Sequence, residues 1–450
     1  MTAEEIKNTA LSALVEMDGF DCACGRRHST AIKHVIIEDG AVRRLPALLR
    51  ECGSKRPFIL SGAASFAAAG QLVKEQLASA GIGFSEYVFP QPPVSPAEWA
   101  VGSAAMHFDA RCDSILAVGS GVINDIAKLL SSLTGLPFSI VATAPSMDGY
   151  ASATSSMERD GLKISLPSTG AWAVIGDLDI LAQAPLSLLQ AGVGDMLAKT
   201  ISLCEWKLAN RITGEYYCPT LAAMVEGALE KVVAAAPGLL SRDHEAVKAL
   251  MEGMVISGLA MQYAGLSRPA SGMEHYFSHI WDMRALAFPE AQARPHGIQC
   301  GIATLYSLRV YEWLRNIKPN REKALEHAAS FSYEAWSRDL LQFIGPGARA
   351  MIDEEKQDPK YALSAHALRL EQILRQWDEL TAIMDSLPSC ERILALMKSI
   401  GAPVSAEEFG YTPADLRRTF TMTKDIRNKY IGSLLLWDLG LLDRAADSIF

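Results

Sequence analysis

The sequence predicts a chain in two parts, an α/β half over residues 1–180 built on a parallel sheet and an all-helical half over residues 181–450. Short β-branched and aromatic runs alternate with longer Ala- and Leu-rich stretches from Lys33 to Asp177, the pattern of strands flanked by helices. Beyond about Asp179 the strand-like runs stop, and helical patterns continue to the end. The 49% of apolar residues among 450 supplies a large core and argues against disorder.

In chain order, strand composition marks 34–38, 57–60, 84–89, 113–118, 138–142 and 172–176, and helical composition marks 64–80, 96–108 and 122–134. The strands at 57–60 and 113–118 lead directly into helices. The polar stretch from Ala153 to Pro167 carries an Asp160-Gly161 turn signal and is expected to form an inserted hairpin. In the second half the helical patterns break at Pro185, Pro219, Pro237, Pro269, Pro289, Pro346 and Pro403. No repeat or low-complexity linker separates the halves, so they are expected to pack together with a cleft between them.

A net charge of −9 provides no global positive field for a polyanion, which argues against nucleic acid as a partner. Eight irregularly spaced Cys are too few for a disulfide framework in a chain of this size and suit reduced thiols. The start, Met1-Thr-Ala-Glu-Glu-Ile-Lys, lacks the basic residues and apolar run of a signal peptide, and no apolar stretch reaches the ~18 residues of a membrane span. A cytoplasmic chain without membrane insertion is expected. Exposed sheet edges and a long helical tail from Ile431 to Leu442 suggest a homo-oligomer.

Three segments carry chemistry. Ile115-Leu-Ala-Val-Gly119-Ser120-Gly121-Val-Ile-Asn-Asp125-Ile-Ala-Lys128 runs from an apolar strand through a Gly-rich turn into a helix, where backbone N–H groups can approach a pyrophosphate. Asn124 replaces the third glycine of G-x-G-x-x-G, so on this ground alone the turn reads first as an ordinary strand-to-helix connection. Thr143-Ala-Pro-Ser146-Met-Asp148-Gly149-Tyr-Ala-Ser152 follows the next strand, and such loops at strand carboxyl ends bind ligands in open α/β sheets.

The third segment is dispersed through the helical half: Asp195, then His275 and His279 four residues apart on one helix face, then His296. A carboxylate with imidazoles and open positions suits a divalent cation acting as a Lewis acid on a substrate oxygen. Glu274 precedes the first His, so the order is not that of a zinc protease. Cys22-Ala-Cys24-Gly-Arg-Arg-His28 looks superficially like a metal knuckle, but no second Cys pair lies nearby, and it reads as a turn with buried thiols.

Together these motifs resemble the sn-glycerol-1-phosphate dehydrogenase family, bacterial branch, within the group of iron-containing alcohol dehydrogenases, glycerol dehydrogenases and dehydroquinate synthases. The string from Thr143 to Gly149 and the series Asp195, Glu274-His275-x-x-x-His279 and His296-Gly297-x-Gln299-Cys-Gly301 carry the resemblance most specifically. It implies a Rossmann-like amino-terminal domain, a helical carboxyl-terminal domain and an active site in the cleft between them. It further implies that Gly119, Ser120, Gly121, Thr143, Ser146 and Ser152 touch NAD or NADP, and that Asp195, His275 and His296 hold one Zn, Ni or Fe ion. Asp148 and His279 would contact a small phosphorylated polyol, with hydride transfer at C2 interconverting dihydroxyacetone phosphate and sn-glycerol-1-phosphate. His279 is the candidate proton relay.

After the strand at 57–60, relatives that prefer NAD usually carry an acidic residue, whereas this chain reads Ser61-Gly-Ala-Ala-Ser65, so NADPH is expected to be accepted. Dehydroquinate-synthase-like lyases carry Glu where this chain has Asp195 and lack the Thr143 string in this form. A dehydrogenase of another polyol on the same scaffold stays open, because proximity along the chain does not identify the phosphate-binding cation among Lys128, Lys199, Arg268 and Arg294.

Overall fold

The computed structural model describes every residue except Asp18, Gln91, Pro92, Pro93, Gly161, Pro289 and Ala293. Two short strands, β1 (Phe20–Asp21) and β2 (Arg27–His28), pair antiparallel near the amino terminus. The main sheet then takes β3 (His34–Glu38), β4 (Pro57–Gly62), β5 (Ser85–Phe89), β6 (Ser114–Gly119) and β7 (Phe138–Ala142). After the separate hairpin of β8 (Thr154–Arg159) and β9 (Leu162–Pro167) it is completed by β10 (Ala173–Asp177). Its order is β3-β10-β7-β6-β4-β5, all parallel.

All six expected strands are present with ends moved by one or two residues at most. The expected helix 64–80 is instead a short turn, Ala63–Ser65, a wider π turn, Phe66–Gly70, and a regular helix, Gln71–Ser79. Gly70, a weak helix former, closes the irregular part. The expected hairpin is there, with Asp160 in the left-handed region at φ 53°, while Gly161 of its turn signal lies outside the described residues, as does Pro289.

The inner strands β4, β6, β7 and β10 are buried along their whole length, which is why they read as continuous apolar runs and not as alternation. Ile59, Leu116, Val118, Val141 and Ile175 pack against Leu48 and Leu49 of helix α1 (Leu45–Glu51) and Val73 and Leu77 of α2 (Gln71–Ser79). The chain leaves β4 outward to β5 but leaves β6 the other way to β7, and β4 and β6 are neighbours. Their carboxyl ends therefore flank a topological switch point, where open α/β sheets form a crevice.

Packing divides the chain into two compact units, the first comprising Met1–Asp160, Ile164–Met196 and Pro219–Ser267 and the second Gly161–Lys163, Leu197–Cys218 and Arg268–Phe450. This division falls elsewhere than at 180/181. Helix α5 (Leu186–Thr213) passes from the first unit to the second, and α6 (Pro219–Ala235) and α7 (His244–Ala264) belong with the sheet. The second unit carries α8 (Met273–Ala287), α9 (His296–Leu314) and the shorter helices up to Ile449.

In the first unit, α3 (Glu98–Met106) precedes β6, and α4 (Gly121–Thr134) follows it and ends on Gly135 at φ 70°. Its Lys128 is completely buried. The ammonium pairs with Asp125 Oδ1 at 3.0 Å and donates to the Gly149 carbonyl at 2.9 Å, the Ser152 hydroxyl at 3.1 Å and the Thr154 carbonyl. In the second unit the buried Arg268 pairs with Glu215 and donates to the Tyr430 carbonyl at 2.8 Å. Lys128 and Arg268 are thus both engaged with protein oxygens.

The tail does not form one long helix. Gly440 at φ 67° separates Gly432–Asp438 from Leu442–Ile449, and every residue of Gly432–Asp438 is buried, so this stretch offers no free face for self-association. No helix among the described residues is long and apolar enough to cross a membrane.

Replacing Lys128 with Met keeps the volume but leaves Asp125, whose side chain is only 12% exposed, without its cation. The unfolding free energy is expected to fall by about 3 kcal/mol, the cost of breaking a buried pair from one side. A urea midpoint equal to that of the parent protein would show that the ammonium is not holding this segment.

Candidate active site

β6 ends at Gly119, Ser120 is extended (φ −109°, ψ −155°), and α4 starts at Gly121. A Cβ on Gly119 would stand 2.6 Å from the Ile123 Cβ, so only glycine lets the strand end this close to its own helix. Ser120 makes no side-chain cap and no acidic residue occupies the first turn, which leaves the positive helix start uncompensated. The Thr143 N–H donates to the Gly119 carbonyl at 3.0 Å, so the Gly turn and the loop after β7 are adjacent. The turn after β4 lies alongside as well, since a Cβ on Gly62 would be 3.7 Å from Ile123 Cδ1. These neighbours bring glycine backbone together, with Met147 Cγ 3.0 Å from where a Cβ on Gly121 would stand and no carboxylate in Ser61-Gly-Ala-Ala-Ser65, and the backbone donors at the helix start fit a dinucleotide phosphate.

The loop after β7 is pinned at several points. The buried Tyr150 hydroxyl donates to the Ala144 carbonyl at 2.6 Å, and Ser146 N–H donates to the same oxygen at 3.0 Å. Ser152 is buried, receives the Lys128 ammonium, and directs its hydroxyl at the carbonyls of Gly149 (3.2 Å) and Thr154 (3.1 Å). Its oxygen is therefore occupied within the protein, whereas Ser146 remains half-buried and Thr143 lies at the loop entrance. Asp148 N–H donates to Asp195 Oδ2 at 3.0 Å, and Asp148 Oδ2 accepts from Ser257 at 2.8 Å. This approach depends on Gly192, one turn before Asp195 on α5, where a Cβ would stand 2.0 Å from the Pro145 carbonyl oxygen.

In the second unit the structure brings His275, His279 and His296 together. Ring centroids of His275 and His296 are 5.1 Å apart, and those of His279 and His296 are 6.2 Å apart. His275 Nδ1 lies 2.8 Å from Glu274 Oε1, which also accepts the Gly272 N–H at 2.8 Å. Burial, and after it the charge of Glu205, pushes the Glu274 carboxyl up to about 8. Oε1 thus faces two nitrogens, while Oε2 has no hydrogen-bond partner among the described residues. His275 Nδ1 is the donor in this pair, and its Nε2 keeps a lone pair.

The same logic fixes His296. Ser278 donates its hydroxyl to Gln299 Oε1 at 2.6 Å and so accepts from His296 Nδ1 at 2.8 Å, leaving Nε2 of His296 as the acceptor. Burial holds His275 well below the ordinary imidazole range, with the Lys199 charge next, so the ring stays neutral as a metal ligand must. Burial, then Arg427, does the same to His279. Cys300 lies one turn after His296 on α9 with Sγ 3.5 Å from Nε2, and one donor atom each from His275, His296 and Cys300 falls within 4.8 Å of the others. Two imidazoles whose Nδ1 atoms are anchored by oxygen acceptors are a donor set that fits a borderline-soft divalent ion. Asp195 belongs to the first unit and the three imidazoles to the second.

Sequence reasoning overlooked Cys300, although its i+4 spacing from His296 was visible, and also overlooked Arg427 and Lys429. The charges of Arg427, Lys163 and Lys429 bear on His279. Lys429 donates to the Ser271 carbonyl at 3.4 Å, just ahead of α8, and sits 6.0 Å above the Tyr276 ring. Of the earlier candidates, Lys199 is buried and donates to the Ala270 carbonyl at 3.3 Å, and Arg294 stacks 4.8 Å from the Phe409 ring. Two of the cations that bear on His279, Arg427 and Lys429, thus come from the irregular stretch after Asp425, while Lys199 bears most on His275.

Residues 36–185 match the family described as iron-containing alcohol dehydrogenase. The chain is 34% identical over 296 residues to a glycerol-1-phosphate dehydrogenase [NAD(P)+] of Halalkalibacterium halodurans, covering 65% of this chain and 74% of the relative. The corresponding protein of Bacillus licheniformis is 27% identical over 429 residues, with 94% and 93% covered. Among solved structures, glycerol dehydrogenase from Schizosaccharomyces pombe superposes with a TM-score of 0.61 at 16% identity, covering 93% of this chain and 91% of that one, a likeness of fold.

Ser278→Ala removes the acceptor that orients His296 and is expected to weaken zinc or nickel binding about 10- to 100-fold. Competition against a chromophoric chelator measures this. An unchanged affinity would mean that His296 needs no such support.

Proposed function

Because the chain belongs to the glycerol-1-phosphate dehydrogenase family, we propose that it interconverts dihydroxyacetone phosphate and sn-glycerol-1-phosphate as a metal-dependent, NAD(P)-linked oxidoreductase. The observation that carries this reading is the orientation of His275 and His296, both with Nδ1 anchored and Nε2 available, beside a group of cations suited to a phosphate. The sheet half, 1–180, would serve the dinucleotide, and the helical half, 181–450, the metal and substrate.

When bound, the metal supplies Lewis acidity at the C2 oxygen and the nicotinamide supplies or accepts the hydride. The residues of this chain do the rest. Gly119, Ser120 and Gly121 would offer backbone N–H groups to the pyrophosphate, with Thr143 and Ser146 contributing hydroxyls, while Ser152 supports the loop through Lys128. Asp195, His275 and His296 would ligate the metal, and Cys300 is a further candidate donor. Asp148 would orient the substrate hydroxyls. In the reducing direction C2 gains a hydride and its oxygen gains a proton, and His279, held neutral, would pass that proton between its two nitrogens.

Arg427 and Lys429, with Lys163 already paired to Asp282, would hold the substrate phosphate, which favours a phosphorylated polyol over a plain one. A reducing, cytoplasmic setting suits a chain with eight cysteines as thiols. Self-association would use the partly exposed edge strand β5 and not the buried tail.

Metal-stripped protein given back Zn²⁺, Ni²⁺ or Fe²⁺ is expected to oxidise NADPH as well as NADH with dihydroxyacetone phosphate, at least about 100-fold faster than with dihydroxyacetone. Equal rates with both ketones would point to another polyol, and a strict NADH requirement would contradict the reading of the turn after β4. A second expectation concerns pH. Burial, followed by the charges of Arg268 and Arg427, lowers Lys429 to about 7, so its charge is present below pH 7 and lost above it. KM for dihydroxyacetone phosphate should rise from pH 7 to 9 in the parent protein and be high but flat in Lys429→Met. A parallel rise in both would remove Lys429 from the phosphate site, and an unaltered pH–rate profile in His279→Asn would remove His279 from proton transfer.

A further inference from the structure

The amino-terminal hairpin contains a second group of metal-ligand side chains, apart from the imidazoles of α8 and α9. Between β1 and β2 the chain turns tightly: Cys22 N–H donates to the Arg26 carbonyl at 3.0 Å, Gly25 N–H donates to the Cys22 carbonyl at 3.0 Å, and Gly25 takes φ 84°. The turn carries Cys22 and Cys24, both half-buried and not buried as the sequence suggested, and β2 ends on the fully buried His28. Cys22 Sγ is 3.4 Å from the hydroxyl of Thr220 in the first turn of α6. Two residues earlier stands Cys218, peptide-bonded to the first residue of α6 and fully buried. One donor atom from each of Cys22, Cys24, His28 and Cys218 lies within 4.8 Å of all the others.

His28 is oriented for ligation. Its Nδ1 is 2.8 Å from the Tyr263 carbonyl, which can only accept, so Nδ1 carries the proton and Nε2 the lone pair. That Nε2 points at Cys24 Sγ at 3.3 Å. With Zn–S of about 2.3 Å and Zn–N of about 2.0 Å, ligand atoms around one tetrahedral zinc stand about 3.5 to 3.8 Å apart, so a group already within 4.8 Å needs only small side-chain adjustments.

We infer that Cys22, Cys24, His28 and Cys218 form a closed Cys3His structural zinc site that clips the amino-terminal hairpin to the start of α6. Three thiols release their protons to solvent as the thiolates bind, and no redox change is involved. Four protein donors leave no open position, so the site does not take part in the dehydrogenase chemistry. It ties residues almost two hundred positions apart, so its loss loosens the hairpin before it affects hydride transfer.

The test uses the full chain produced under reducing conditions with zinc. In a His275→Ala/His296→Ala variant, which lacks the imidazoles of the other centre, elemental analysis is expected to find one zinc per chain that survives gel filtration, and none when Cys22→Ser and Cys24→Ser are added. Zinc-edge X-ray absorption of the first variant should fit three sulfurs and one nitrogen. Cobalt substitution should give intense thiolate-to-metal charge transfer in the near ultraviolet. Should the cysteine variant fail to fold, the absorption spectrum of the first variant still decides. A zinc-free chain, or a shell of nitrogen and oxygen alone, would overturn the assignment.

Discussion

An ammonium shut away from water has to collect oxygen atoms, and the position of Lys128 imposes this on everything around it. Desolvating the charge costs several kcal/mol. One ion pair to Asp125 and bonds to three further oxygens, each about 1.5–3 kcal/mol for a charged donor, are enough to offset that cost. The oxygens come from Gly149, Ser152 and Thr154, so the ammonium fixes the path of the loop after β7, and with it the backbone N–H of Asp148 that reaches Asp195. Asp125 also accepts Ser156 N–H at 3.1 Å, tying the start of β8 to the same centre. The polar residues that sequence reading grouped as a ligand loop are held in place by a cation in the helix that follows the glycine turn.

The second unit is organised around carboxylates in a comparable way. Glu205 is fully buried and accepts from Gly432 N–H at 2.8 Å, Met273 N–H at 2.8 Å and the Tyr311 hydroxyl at 2.7 Å. Met273 is the first residue of α8, so Glu205 on α5 sets where that helix begins and hence where His275 stands two residues later. Burial raises Glu205 against the pull of these donors, and its charge in turn raises Glu274. Two buried carboxyl groups in this relation do not both ionise. Glu205, with three donors, is the better place for the charge, and Glu274 becomes the neutral acceptor behind His275.

Legibility in the sequence followed the range of the interactions. The strands were readable because a buried parallel strand is a local apolar run, and Gly119 was readable because the strand turns into its own helix within five residues, too close to Ile123 for a Cβ. His275 and His279 were readable from helical spacing. What escaped depends on distant chain: Cys218 meets the hairpin across almost two hundred residues, and Arg427 and Lys429 reach His279 from beyond Asp425. Lys128 was noticed as a charge near a motif, but that its oxygens all come from within the chain follows only from the fold. The tail misled because Gly440 was read inside a helical pattern, whereas its φ of 67° ends one helix and lets Leu442 begin another.

Two donor sets on one chain invite the question of how each would keep its own metal. Affinity order alone does not separate them, since copper, nickel and zinc all favour nitrogen and sulfur donors. Geometry and softness do. Three thiolates and an imidazole closing a tetrahedron favour zinc and leave nowhere for a substrate oxygen, whereas two oriented imidazoles with incomplete protein ligation tolerate several divalent ions and leave positions open. The oxygen acceptors behind Nδ1 serve both sets alike. His28 rests on a backbone carbonyl, His275 on a carboxyl and His296 on a hydroxyl. In all three the acceptor keeps the proton on Nδ1 and leaves the Nε2 lone pair for a metal, so the number and softness of the remaining donors make the difference between the two sets.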